Sequence, residues 1–378
     1  MRAALAVALL LAGCAAVPRP AETFFDDAGF GPPSRRIEAQ SVFAVSDAMR
    51  RYLRDEIGEQ IAAKGPQQGL YDALYAQGRL KLEYDAGRTR NAAEAFDERA
   101  GNCLSLVVMT AALARELGLE VTFRQFVGDD AWTRSGETYF AASHVNLVLS
   151  RRVVNPRSRR VEEQQLTVDF VPPKPGEVPQ TRELARDTIV AMYMNNRAAE
   201  ELAAGSVDDA YWWARAAIAE DPAYASAYNT LAVIYKHRGK LALAERVLRF
   251  VLAREPGSVN AMQNLALVLG EQGREREADL LSAQVERRET NPPFHFLDLG
   301  REAMQRGDFR AAKGMFLREL ERDADYHEVH YWLALVCMRL GEIDAAREHL
   351  ATAARTGVRA TDRALYAAKL ARLKAAMP

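Results

Sequence analysis

Three residues of this chain have the types and order that nucleophilic acyl chemistry needs. Cys103 stands in Gly101-Asn102-Cys103-Leu104-Ser105, His144 in Ser143-His144-Val145-Asn146, and Asp169 in Thr167-Val168-Asp169-Phe170. A thiol becomes a strong nucleophile when a base takes its proton, and an imidazole base needs a carboxylate to orient it. Cys103 opens an apolar helical run. A helix N-terminus carries positive partial charge and unpaired N–H groups, which favour thiolate over thiol and can receive an oxyanion. Singly, each residue has a plainer reading. A Cys ahead of an apolar helix is more often a small buried hydrophobe, and a His on a strand is usually a satisfied structural residue.

The surrounding elements are those that would bring the three together. Leu104, Val107, Val108, Ala111, Ala112 and Leu117 supply the buried face of a helix over 101–119, which Gly118 ends. Three strands follow: Val121 to Val127, then one carrying Val145, Leu147 and Leu149, then one carrying Leu166, Val168 and Phe170. Adjacent antiparallel strands would set His144 beside Asp169, above the helix start that bears Cys103. Helical spacing also runs over 41–58 and 70–84, and Asn91 can cap a short helix through Phe96. Residues 40–180 therefore read as one α+β domain, left through Pro172, Pro173, Pro175 and Pro179. A loop over 129–142, with Trp132 on it, is placed to cover the cleft.

A Cys at a helix start, a His on a strand some forty residues on and an Asp on the next strand resemble the transglutaminase-like, papain-related cysteine fold. The resemblance spans about 40–179. It implies that Cys103 is the nucleophile, His144 the general base and acid, and Asp169 the orienting group. The Cys103 backbone N–H would be one oxyanion donor, and no second donor is identified. Bacterial members of the family often hydrolyse or transfer amide bonds, and some are inactive. Asn146 and Ser105 match no catalytic role.

Beyond the prolines the composition turns helical, and a period appears. Gly205, Gly239, Gly273, Gly307 and Gly341 are 34 residues apart, each followed five residues later by Ala210, Ala244, Ala278, Ala312 or Ala346. Each Gly suits a left-handed turn between antiparallel helices, and each Ala suits a close helix crossing. Pro222 and Pro256 stop two second helices. The pattern resembles the tetratricopeptide repeat (TPR). Tyr228, Leu231, Ala232 and Tyr235 fill the family's first-helix positions in one repeat, and Phe296, Leu299 and Gly300 in another. Glu201 stands where the family usually has a large aromatic. Five repeats are expected over 191–357, with a capping helix over 358–378. By family position, Asn229, Lys236, Asn260 and Gln263 would line the concave face and hold a protein or peptide.

The first residues look like a targeting segment. Arg2 precedes an apolar run too short to span a bilayer, and Leu11-Ala12-Gly13-Cys14 resembles the bacterial lipobox. The resemblance implies a signal peptide over 1–13, lipid on Cys14 as the membrane contact, and a tether over 14–39. Ala15 after the Cys points to the outer membrane, so the expected place is the periplasm-facing cell envelope. With 50 Lys+Arg against 51 Asp+Glu the chain has no basic excess for nucleic acid. The arginines from Arg151 to Arg160 read as a solvated hairpin tip. No phosphate-binding glycine loop or dinucleotide fingerprint occurs, so no cofactor is expected. Cys337 reads as core. His327 and His330 lack the spacing of the zinc-protease motif and read as a solvated helix start, so no metal is expected.

Two functions follow. One is a lipid-anchored thiol enzyme, a cysteine peptidase, amidase or transglutaminase-like acyltransferase, whose repeats dock a protein or peptide substrate. The other is a non-catalytic envelope scaffold that binds partners through the repeats.

Overall fold

The computed structural model describes residues 20–76, 80, 82–85, 87–126, 131–135, 138–142, 144–154, 160–170, 180–288, 294–357 and 360–375. The signal segment 1–13 and the lipidation candidate Cys14 lie outside them, as do the four prolines between 172 and 179. Among the described residues no helix is long and apolar enough to cross a membrane.

Helix α1 (Asp47–Arg51) continues through a wide turn to Glu56, followed by α2 (Gly58–Lys64) and α3 (Pro66–Tyr71), which runs on to Ala76. The periodicity over 41–58 thus begins as a 3₁₀ turn and breaks at Ile57. The second expected helix does not reach residue 84. Instead β1 (Glu83–Tyr84) lies parallel to β2 (Ala100–Gly101), on either side of α4 (Ala92–Glu98). Asn91 caps α4 reciprocally: its side chain accepts from the Glu94 N–H, and the Glu94 carboxylate accepts from the Asn91 N–H.

Helix α5 (Cys103–Glu116) is the centre of this unit. Every residue from Leu104 to Ala114 is buried, so the helix is covered on all sides rather than along one stripe. Gly118 ends it at φ 71°, the left-handed conformation a C′ glycine accepts without strain. Strands β3 (Glu120–Phe126), β6 (Val145–Val154), β7 (Val161–Val168) and β8 (Thr181–Leu184) form an antiparallel sheet in the order β7-β6-β3-β8. Strands β3 and β6 pack on α5. Two departures from the sequence reading occur here. The expected cleft loop is a hairpin of β4 (Ala131–Ser135) and β5 (Thr138–Ala142), and the side chains of those strands, Trp132 included, lie outside the described residues. The chain also returns after the prolines to add β8, with Leu184 opposite Phe123.

The C-terminal half is an all-α array of helix pairs. They are α6 (Arg186–Ala203) with α7 (Val207–Glu220), α8 (Ala225–His237) with α9 (Leu241–Arg254), and α10 (Val259–Glu271) with α11 (Glu275–Arg288). Next come α12 (His295–Gln305) with α13 (Phe309–Leu320), α14 (His327–Leu340) with α15 (Ile343–Thr356), and the terminal α16 (Ala360–Ala375). The five period glycines have φ between 73° and 83°, the conformation their spacing predicts. Ala210, Ala244, Ala312 and Ala346 are fully buried at helix crossings. Ala278 is only half-buried, and on α11 only Val285 is buried. At Gly300 a Cβ would lie 2.4 Å from the Phe316 ring, so this first-helix position needs glycine for close approach. The hydrophobic core runs unbroken from the N-terminal unit through α10, and separate clusters begin at Phe294.

The expected tether differs most. Its described part, from Pro20 to Ala39, lies as a strap along α7, α8 and α9. Phe30 stacks on Tyr211 with ring centroids 4.0 Å apart, and Phe24 packs on Phe250 at 4.8 Å. Side chains of the array hold the strap's main chain. Tyr235 donates to the Phe24 carbonyl, Trp212 to the Gly31 carbonyl and Arg246 to the Thr23 carbonyl, while Tyr211 accepts from the Asp26 N–H. Lys240 pairs with Asp26, and Arg215 with Asp27. The strap orders because its aromatics bury apolar area on ready-made rings, and its backbone polar groups find partners.

Candidate functional site

Cys103 is the first residue of α5, and what holds it is the cap. Asn102 accepts through Oδ1 from the Ser105 N–H at 2.9 Å and from the Ser105 hydroxyl at 2.8 Å. Its amide nitrogen donates to Thr89 Oγ1 at 2.8 Å. Gly101 is required beside it, since a Cβ there would lie 2.7 Å from Ser105 Cβ. The adjacent Asn and Ser of the Cys103 motif thus build the helix start that displays the thiol.

His144 directly precedes β6 and Asp169 directly follows β7, so the antiparallel pairing puts both at the same end of the sheet. His144 Nε2 lies 2.7 Å from Asp169 Oδ1, and Asn146 Nδ2 donates to Asp169 Oδ2 at 3.0 Å. That leaves Nδ1 of the ring for the thiol. Phe126 stacks on the imidazole at 4.7 Å between centroids and fixes its plane. Burial draws the His144 pKa down, but hydrogen bonds and charge from Asp169 and then Cys103 outweigh it and raise the value to about 9. The three residues of the sequence reading therefore meet in one place. Asn146, which fits none of the three triad roles, is the second hydrogen-bond partner of the carboxylate.

A further group at the site was not singled out from sequence. Tyr84, on β1, is carried to the start of α5 by the short parallel ladder opposite Gly101, which the Asp85 N–H to Gly101 carbonyl bond extends. Its ring is largely exposed, yet its hydroxyl oxygen meets the Cys103 backbone N–H. Desolvation and then the Cys103 charge push the phenol up to about 12, against that hydrogen bond. No periodicity marks this residue, because a two-residue strand leaves none.

The other candidates fall elsewhere. Asn229, Lys236, Asn260 and Gln263 sit on α8 and α10; Asn229 is buried and the other three are half-buried. Asn264 donates to both Asn229 and Asn260 at 3.0 Å, Lys236 pairs with Glu271 at 3.1 Å, and Gln263 Oε1 is buried. The backbone of β5 lies against these same two helices. Cys337 is buried as expected, and burial raises its pKa to about 11. His330 and His327 are not a solvated helix start. His330 is buried and bonds His349 and the Ala324 carbonyl, and His327 bonds Tyr366 on α16. Among the described residues no group of three metal-ligating side chains occurs.

No protein-family model matches the sequence, and no curated protein matches it. Solved structures similar to this chain include that of pilF from Pseudomonas aeruginosa, at 24% identity over 48% of this chain and 83% of that one, with a TM-score of 0.33. Another is YrrB, a TPR protein with an unusual peptide-binding site, at 18% identity over 47% and 92% of the two chains, TM-score 0.26. A third is TTC0263, a thermophilic TPR protein of Thermus thermophilus, at 21% identity over 48% and 98%, TM-score 0.35.

Proposed function

We propose that this chain binds another protein or peptide through its helix-pair array and acts on it by thiol chemistry at Cys103. The observation that carries the chemistry is the 2.7 Å bond between His144 Nε2 and Asp169, with the ring's other nitrogen left for the thiol. In the reaction, sulfur attacks an amide carbonyl carbon while His144 already holds the Cys103 proton, as its raised pKa requires. The oxyanion displaces the Tyr84 oxygen from the Cys103 N–H, which then donates to it, with the Tyr84 hydroxyl as a second donor. Collapse breaks the C–N bond, His144 gives its proton to the departing amine, and a thioester remains. Water or a second amine then attacks the thioester, losing its proton to His144, and the Cys103 sulfur leaves. The enzyme is thus a hydrolase or an acyltransferase on amide bonds. The lipobox-like Leu11-Ala12-Gly13-Cys14 supports a place on the bacterial cell envelope, facing the periplasm and held by lipid on Cys14.

The test is alkylation of Cys103 by iodoacetamide near neutral pH, followed by mass spectrometry of the Cys103 peptide. Fast labelling that His144→Ala slows is the expected result. Labelling at the rate of an ordinary free thiol, indifferent to His144, would sink the catalytic reading. The second reading is a non-catalytic scaffold, and the extended helix-pair array favours it. It predicts that Cys103→Ala keeps both partner binding and full biological activity.

A further inference from the structure

We infer that Glu200, on the first helix of the array, is a positioning residue for Cys103, acting through Thr89 and Asn102. The inference rests on the reading of Cys103 as a nucleophile. Thr89 lies in the turn before α4, and its side chain is almost wholly buried. Its backbone N–H donates to Glu200 Oε1 at 2.6 Å, across 111 residues of sequence, and its hydroxyl donates to the same carboxylate. With that proton committed, Thr89 Oγ1 presents a lone pair to the Asn102 amide nitrogen at 2.8 Å. This fixes which way the Asn102 amide faces. Its oxygen is turned to the Ser105 N–H and hydroxyl, which makes the cap of α5. Ser105 Oγ in turn accepts from the Arg90 N–H at 2.8 Å, so the turn and the helix start are locked at two points.

The array supplies the fixed end of this chain of bonds. Arg197, one turn before Glu200 on α6, bonds its other oxygen, and also bonds Glu201 at 2.9 Å. Arg35 of the strap reaches Glu201 at 3.2 Å. A carboxylate in this place does what no residue within the 88–105 segment does: it takes both protons of Thr89 at once. Without it, Thr89 would keep a buried N–H with no acceptor, and its hydroxyl would be free to turn its proton toward the Asn102 amide nitrogen, which is itself a donor. The Asn102 amide would lose its reason to face one way, and the first turn of α5 would loosen where the thiol sits.

The test uses the full chain and measures native-state alkylation of the Cys103 peptide by iodoacetamide, with amide hydrogen exchange at the first turn of α5 read in parallel. Glu200→Ala is expected to slow alkylation about tenfold, the worth of one such hydrogen bond, and to speed exchange of the Ser105 N–H. Glu200→Gln keeps an acceptor oxygen and is expected to recover most of the rate, which a loss of folding stability alone would not predict. Thr89→Val should slow alkylation as Glu200→Ala does, and Thr89→Ser should not. If Glu200→Ala fails to fold, the Val and Ser pair poses the same question. Equal rates for wild type, Glu200→Ala and Thr89→Val, with His144→Ala slow, would overturn the positioning role and leave the catalytic reading standing. If wild type and His144→Ala label alike, the catalytic reading falls, and unchanged Ser105 exchange in Glu200→Ala would then remove the positioning link as well.

Discussion

The first three repeats of the array and the last two follow the same 34-residue plan, yet they are held in different ways. Helices α6 to α10 share one hydrophobic core with the thiol-bearing unit. The strap lies along α7, α8 and α9, the backbone of β5 lies against α8 and α10, and Glu200 reaches into the turn before α4. Repeats four and five have their own clusters around Leu297, Phe316 and Leu333, and α16 covers their far end through Tyr366 and Leu373. At the boundary stands α11, the second helix of the third repeat, rich in charge and with only Val285 buried. A repeat motif therefore specifies how a helix pair folds, not what covers it. Here the proximal repeats are already occupied by their own chain, which makes them part of the site's scaffold.

The largest effect expected from this contrast is in the shared core. Phe30→Ala should cost about 3–5 kcal/mol, the usual range for a buried aromatic, and chemical denaturation should show the loss in the transition that melts the thiol-bearing unit. A loss below about 1 kcal/mol would mean that the strap merely rests on the array.

His144→Ala should slow Cys103 alkylation about 10²-fold while the array keeps its helical signal, because the imidazole that holds the thiol's proton acts only at the site. The same side chain sets a pH dependence. Its folded pKa of about 9 lies above the ordinary 6.5, so its ion pair with Asp169 stabilises the fold fully below about pH 6.5. That contribution is lost as the pH rises through 9. The thermal stability gap between wild type and His144→Asn should therefore narrow from pH 6 to pH 10, and a gap that widens would contradict the assignment.

Gly300→Ala should destabilise repeats four and five by about 1–3 kcal/mol through overpacking against Phe316. Hydrogen exchange should rise in α12 to α15 and stay unchanged in α5, and Cys103 reactivity should not move. A response at Cys103 would show that the two groups of repeats are coupled after all. The smallest effect is reserved for Tyr84→Phe. Acylation by an activated ester should slow about tenfold, since a donor to the oxyanion is gone, while alkylation, which forms no oxyanion, should be unchanged. Faster acylation would mean that the hydroxyl blocks the Cys103 N–H instead of assisting it.

Much of this molecule could be read along the chain because its signals are local. The glycines at 34-residue spacing, the Asn91 cap, the apolar run behind Cys103 and the alternation in β6 each reflect the conformational preference of a short segment, and each element appears where its pattern stands. The order of Cys103, His144 and Asp169 on a helix and two neighbouring strands likewise followed from element types. The rest depended on folding in space. The strap has no periodicity, so nothing in Pro20 to Ala39 announced that Tyr211 and Tyr235 would hold it. Tyr84 sits on a strand too short to have a pattern. His330 meets His349, and Thr89 meets Glu200, only because distant helices pack together. Asn229 and Asn260 stand where the repeat resemblance expects ligand-facing side chains, yet Asn264, one turn after Asn260, bonds both. Local patterns record what a segment prefers. Which surfaces remain open, and which distant groups satisfy one another, is decided by burial, since a buried polar group must find whatever partner the packing brings to it.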